Sequence, residues 1–181
     1  MSSSRDSFEN RLAESRIINI CGYVDSKYAS NIIFKLLTYS AHDENDEIQL
    51  FISSHGGSDL DMMAIYDTLN TIPNPVTGIA VGMVNDHATL LLAKCTKGRR
   101  FSLAHTEISF SQPHGYIGPG ANQQTEIAIE ARELLVKREV FEREMCKCTG
   151  QLPEVVHEDC EKGVIFTAAE ALEYGIIDEI L

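Results

Sequence analysis

Asp86 stands where a chain of this kind would carry a reacting group. The stretch Gly82-Met83-Val84-Asn85-Asp86-His87-Ala88-Thr89-Leu90-Leu91-Leu92 joins an apolar, strand-like run, Val76 to Val81, to an apolar, helix-like run, Ala88 to Ala93. A strand that ends in a glycine turn and opens a helix lifts one side chain above a sheet. The helix N-terminus and its free N–H groups then favour an anion beside it. Many hydrolases hold their nucleophile in this way. Here the residue is a carboxylate, which serves as a nucleophile in some chemistries but does not replace a serine in peptide hydrolysis. Asp86 therefore reads either as an unusual catalyst or as a helix cap contributing about 1 kcal/mol. Other reactive groups are scattered. Ser53, Ser54, Ser109 and Ser111 are hydroxyls off the turn. Asp86 and His87 are neighbours at a helix start, where side chains point apart, so they are not a ready dyad. His55, His87 and His114 lack ligand spacing such as HxxxH, so no metal is expected.

The elements that must position these groups alternate between strand and helix. Ile17-Ile18-Asn19-Ile20 reads as a first strand, and Asp25-Ser26 caps a helix that buries Tyr28/Ala29, Ile32/Ile33 and Leu36/Leu37. Ile48-Gln49-Leu50-Phe51-Ile52 is a largely apolar strand of the kind found inside a parallel sheet. It ends in Ser53-Ser54-His55-Gly56-Gly57, and a helix from about Asp59 to Leu69 should turn Leu60, Met63, Ala64 and Ile72 to the core. Pro73-Asn74-Pro75 breaks that helix. Strand candidates Arg100 to Leu103 and Glu107 to Phe110 follow. Gly115, Gly118 and Gly120 then mark a turn or exposed loop. It follows no buried strand in the way a dinucleotide site requires.

Ala121 to about Cys148 has no internal Gly or Pro and is the longest element. At 1.5 Å per residue it would measure roughly 40 Å, more than a small domain needs to cover its own core. Such a helix is expected to pack on another subunit. Gly150 ends it and Pro153 opens the next helix, which stops near Gly163. Thr167-Ala168-Ala169-Glu170 forms a capping box, and Gly175 ends the helix it starts. Ile176 to Ile180 is a terminal strand or tail. The alternation gives an α/β fold, read as one domain over 1–181 with an N-terminal segment at 1–16.

The chain of 181 residues is 44% hydrophobic, enough for a sizeable core, and carries a net charge of −12. An acidic chain with no basic cluster is a poor match for nucleic acid or an anionic membrane. Cys21, Cys95, Cys146, Cys148 and Cys160 form no CxxC pair, which fits reduced thiols in a cytosol-like compartment. No apolar run reaches the ~18 residues of a membrane span.

Segments along nearly the whole chain resemble the proteolytic subunit of Clp protease. They include Arg16-Ile17-Ile18, Gly56-Gly57, Ala64-Ile65-Tyr66-Asp67-Thr68, Lys97-Gly98-Arg99-Arg100-Phe101, Gln112-Pro113, Thr149-Gly150-Gln151 and Glu170-Ala171-Leu172-Glu173-Tyr174-Gly175-Ile176-Ile177-Asp178. Their order and spacing make the likeness specific. The resemblance implies a ClpP/crotonase-like α/β subunit with a projecting handle helix. Through that helix two heptameric rings stack, with Gly115 to Gly120 lining the contact. It also implies where a Ser-His-Asp triad would stand: Asp86 at the serine position, Ser111 at the histidine position and Gly163 at the aspartate position. The backbone of Gly57 and His87 matches the family's oxyanion-hole donors. A carboxylate at Asp86 would oppose a tetrahedral oxyanion there.

On these three positions the chain is expected to be a noncatalytic, ClpR-type subunit and not an enzyme. It would work in a ring chamber beside active Clp subunits or copies of itself, with an AAA+ unfoldase as a further partner and no cofactor, nucleic acid or membrane. A bacterial cytoplasm is the expected location, or a plastid-type stroma if the gene encodes a longer leader. Two alternatives stay open: a crotonase-fold acyl-CoA enzyme using Asp86 as acid or base, and a Clp peptidase with a rebuilt active site.

Overall fold

The computed structural model describes residues 11–115 and 123–181, and its elements alternate as the sequence pattern requires. They run β1 (Ile17–Val24), α1 (Ser26–His42), β2 (Ile48–Gly57), α2 (Asp59–Thr71), β3 (Val76–Asn85), α3 (His87–Lys94), β4 (Arg100–Ser102) and β5 (Glu107–Ser109). Then follow α4 (Gln124–Thr149), α5 (Pro153–Lys162), β6 (Ile165–Phe166), α6 (Ala168–Tyr174) and β7 (Glu179–Ile180). The expected α/β class holds. Residues 1–10 and 116–122 lie outside the described residues, and with them most of the expected N-terminal segment, most of the Gly115–Gly120 loop and the first residues of the expected long helix.

The sheet runs β1-β2-β3-β4-β7, all parallel. β3 is its pivot. Gly78 to Ala80 pair with β4, whereas Met83 to Asn85 pair with β5. β5 in turn pairs antiparallel with β6. The sheet therefore forks along β3, and the chain leaves the fork at Asn85, directly before Asp86. Ile18, Ile20, Leu50 and Ile52 fill the centre with Ala29, Ile32 and Leu36 of α1, and α3 is buried from Ala88 to Ala93. An apolar helix with no polar face has to be covered on all sides, and that fixes α3 between the sheet and its neighbours.

Asp25 accepts from the Tyr28 amide at 2.8 Å and starts α1 as expected. The Thr167–Glu170 capping box is formed. The third strand is longer than the sequence suggests, because Gly82 (φ +71) lets it continue to Asn85 instead of ending it. The buried face of α2 also differs. Met62, Ile65, Tyr66 and Leu69 are buried, Ile72 just beyond the helix is too, Ala64 is exposed and Leu60 is 78% exposed. Both rows satisfy a 3.6-residue period. The direction in which β2 delivers the chain, absent from the local pattern, decides between them.

At 26 residues α4 is about 39 Å long. It buries side chains only near its C-terminal end, at Phe141, Glu144 and Met145, while Ile127, Ile129, Leu135 and Val136 stay exposed. Arg100 ties that end down. It is 3% exposed, its Nη2 reaches Asp178 Oδ1 at 2.5 Å, and its Nη1 donates to the carbonyls of Ala93, Cys148 and Gly175. No described helix is long and apolar enough to cross a membrane.

Candidate active site

The fork in the sheet builds the site. Asp86 N donates to Ser109 O at 2.9 Å, so β5 holds the turn from one side. Asp86 O accepts from Thr89 N and Leu90 N, which starts α3 from the other. Thr89 Oγ1 donates to both Val84 O (3.0 Å) and Ser109 O (2.6 Å), stitching the three elements together. Held in this way, Asp86 takes φ +51 and ψ −121, a region a residue with a side chain enters only under constraint. Strand-to-helix turns that present a reactive group carry strain of this kind.

The Asp86 side chain does not cap α3, contrary to the expectation from its position. Oδ1 instead accepts from Ser111 N and Ser111 Oγ, both at 3.0 Å. The positive φ swings Cβ away from the helix axis, so the first-turn amides are out of reach. Ser111 is delivered by the chain that leaves β5. Beside it lies Gly163, the left-handed cap of α5 (φ +64), where an added Cβ would find Ser111 Cβ as its nearest neighbour at 3.7 Å. Asp86, Ser111 and Gly163, far apart in sequence, thus stand in a row.

His87 turns away from Asp86. Its Nδ1 lies 3.6 Å from Asp59 Oδ1, and its ring meets Phe141 edge-on at 5.1 Å. Burial pulls its pKa below the ordinary histidine value, although the Asp59 and Asp86 carboxylates act to raise it. The imidazole is therefore neutral near pH 7. Lys137 of α4 reaches Asp59 Oδ2 at 3.5 Å, which links the middle of the long helix to the site. Asp86, His87, Ser111 and Gly57 line one cavity of about 220 Å³, together with His55, His114 and Tyr23. Gly57 has no room for a side chain: a Cβ would come within 2.2 Å of Val24 O. That close approach, not turn flexibility, requires the glycine.

Among the described residues no three His, Cys, Asp or Glu side chains are grouped to hold a metal ion. The Cys95 and Cys160 thiols are buried and pushed up to about 12, which leaves them protonated. Sequence reasoning missed Asp59, Phe141 and Lys137. Asp59 follows Gly57 closely and could have been suspected, but nothing local ties Phe141 or Lys137 to this cavity.

The Clp protease family model matches residues 2–181. The chain is 40% identical over 171 residues to "ATP-dependent Clp protease proteolytic subunit 2" of Thermobifida fusca (strain YX), covering 94% of this chain and 83% of that one. It is also 40% identical over 172 residues to "ATP-dependent Clp protease proteolytic subunit 1" of Bifidobacterium longum (strain NCC 2705), covering 95% and 73%. These relatives correct the expectation that the chain is not an enzyme. That expectation rested on the residue types Asp86, Ser111 and Gly163 alone, whereas both proteins that match nearly the whole of this chain are named as proteolytic subunits. Fold and sequence likeness over almost the whole length agree, and the chain belongs to the Clp protease family.

Proposed function

We propose that this chain is a ring-building subunit of a Clp-type proteolytic complex. It would shape a heptameric-ring chamber with other Clp subunits and bear on the peptide hydrolysis carried out there. The observation that carries this reading is α4. A helix about 39 Å long, buried only near one end and exposing Ile127, Ile129, Leu135 and Val136, needs a second surface to cover it. Family membership makes a stacked ring the natural one. Within this reading Asp86, Ser111 and Gly163 occupy the positions of the family triad, and the row they form supports it. Gly57 and the His87 amide would be the donors facing a substrate carbonyl, because both line the cavity that Asp86 faces.

The test is purification from the native source, followed by native mass spectrometry and assay of short peptides. The expected species is a multi-subunit ring particle containing Clp subunits. A stable monomer at micromolar concentration would overturn the reading. Gly57→Val, which drives a side chain into Val24, should lower peptide hydrolysis by the particle about ten-fold or more, as loss of a backbone oxyanion donor does.

One contact favours a second reading, a Clp peptidase with a rebuilt site. The Ser111 hydroxyl donates to the Asp86 carboxylate at 3.0 Å, which pairs a hydroxyl with a proton acceptor. Stoichiometric fluorophosphonate labelling that is lost in Ser111→Ala would support it. Absence of labelling at Ser111 would count against it.

A further inference from the structure

The middle of α4 rests on the body of the subunit at a buried imidazole. His87 is the first residue of α3, and its side chain is only 11% exposed. Two residues of α4, one turn apart, come to it. The Phe141 ring packs edge-on against the imidazole, 5.1 Å between centroids. Lys137 reaches the same carboxylate that His87 faces. That carboxylate belongs to Asp59, the first residue of α2. Its Oδ1 lies 3.6 Å from His87 Nδ1, and its Oδ2 lies 3.5 Å from Lys137 Nζ. Three helices therefore meet at His87, Asp59 and Lys137. Since α4 buries only Phe141, Glu144 and Met145, the contact with His87 is a large share of what holds it down.

His87 fits this place as a neutral group. With the imidazole uncharged, Asp59 is balanced by Lys137. A proton on His87 would set a second cation beside Lys137 on one carboxylate, at the positive end of the α3 dipole and largely out of water. Asp86 is the other carboxylate acting on His87, and one of its oxygens already accepts two bonds from Ser111. Asp59 and Asp86 draw a proton on, Lys137 and burial oppose it, and burial prevails. The remaining titratable groups around the cavity are Tyr23 from β1, His55 from β2 and His114 beyond β5. All three are exposed, so a charge on either histidine stays in water.

We infer that His87 is a pH-sensitive latch for the long helix. Neutral, it seats Phe141 while Asp59 holds Lys137. Protonated, it leaves its place between Phe141 and Asp59 for water, and the middle of α4 loosens with it. A seated imidazole holds a proton more weakly than a solvated one, so release is favoured as pH falls through the ordinary histidine value of about 6.5. Above that value the latch is shut. The latch is made of contacts within the chain and does not depend on whether the cavity hydrolyses peptides.

The test is hydrogen–deuterium exchange on the whole chain in its native oligomer at about pH 7.5 and about pH 5.5, with rates corrected for the intrinsic pH dependence of amide exchange. Peptides covering 133–142 should exchange several-fold faster at the lower pH, while those covering Ile32 and Leu36 in α1 should not change. His87→Gln and His87→Phe cannot take up a proton there, and either variant that folds should lose the response. His55→Gln/His114→Gln should keep it. An unchanged rate over 133–142 in the unsubstituted chain, or a response that survives in a folded His87 variant, would overturn the latch. So would an equal response in α1, which marks general unfolding by acid.

Discussion

Asp178 and Asp86 are both aspartates tied to a neighbouring segment, and they are used in opposite ways. Asp178 is saturated. It takes the Arg100 guanidinium through Nε (2.8 Å) and Nη2 (2.5 Å), as well as the amides of Gly98 and Arg100. Its partner is 3% exposed and also binds three carbonyls, so β4, β7 and the ends of α3, α4 and α6 meet at one ion pair. The Asp86 carboxylate hydrogen-bonds only to Ser111 among the described residues, on a strained backbone beside a cavity. A carboxylate with every lone pair engaged is a tie. One that keeps an oxygen free over a cavity, at some conformational expense, belongs to a site.

The largest effect should come from Asp178→Ala. It strands a buried guanidinium, and urea unfolding should show a loss of about 3–5 kcal/mol. A loss below about 1 kcal/mol would mean that the Arg100 node is not the tie described. The same node should appear in the pH dependence of stability. Burial alone would raise the Asp178 pKa, but the Arg100 guanidinium and the two amides outweigh it and hold the carboxyl below its usual range. A depressed folded-state value gives stability that is present above the unfolded-state pKa and lost as pH falls through the folded one. The loss therefore falls below about pH 4, where a free aspartate begins to protonate. Asp178→Asn should flatten the acid limb of a Tm-against-pH curve, and a limb of unchanged slope would assign it to other carboxylates.

Gly163→Ala should cost about 1–2 kcal/mol, because a left-handed cap must then carry a Cβ. The space toward Ser111 is open enough that a clash adds little. The smallest effect is expected for Asp86→Asn. It keeps an acceptor for Ser111 and should shift stability by less than about 1 kcal/mol, while altering whatever chemistry the cavity supports. A loss as large as that of Asp178→Ala would erase the distinction between tie and site.

Much of the scaffold was legible in the residues. Asp25, Pro153, the Thr167–Glu170 box and the glycines at 150, 163 and 175 act locally, through capping bonds and backbone freedom that a short window contains. The site was legible in part. The turn before α3 was readable at Asp86, and the likeness to Clp subunits singled out Ser111 and Gly163. The role given to the Asp86 side chain was not. A helix-start carboxylate caps by default, and only the positive φ imposed by β5 turns it to Ser111. The inference to inactivity from three positions failed for a related reason: three residue types say less than 40% identity along the chain.

By itself the sequence determined the alternation of elements, their caps and the length of α4, because these depend on bonds within a few residues. Only the tertiary structure decided which face of α2 is buried and which pairs of groups meet. The fork along β3 carries Asp86, Ser111 and Gly163 to one place, and the packing of α2, α3 and α4 brings Asp59, His87 and Lys137 together beside it. Contacts between residues distant in sequence depend on how the strands are ordered, and no local period records that order.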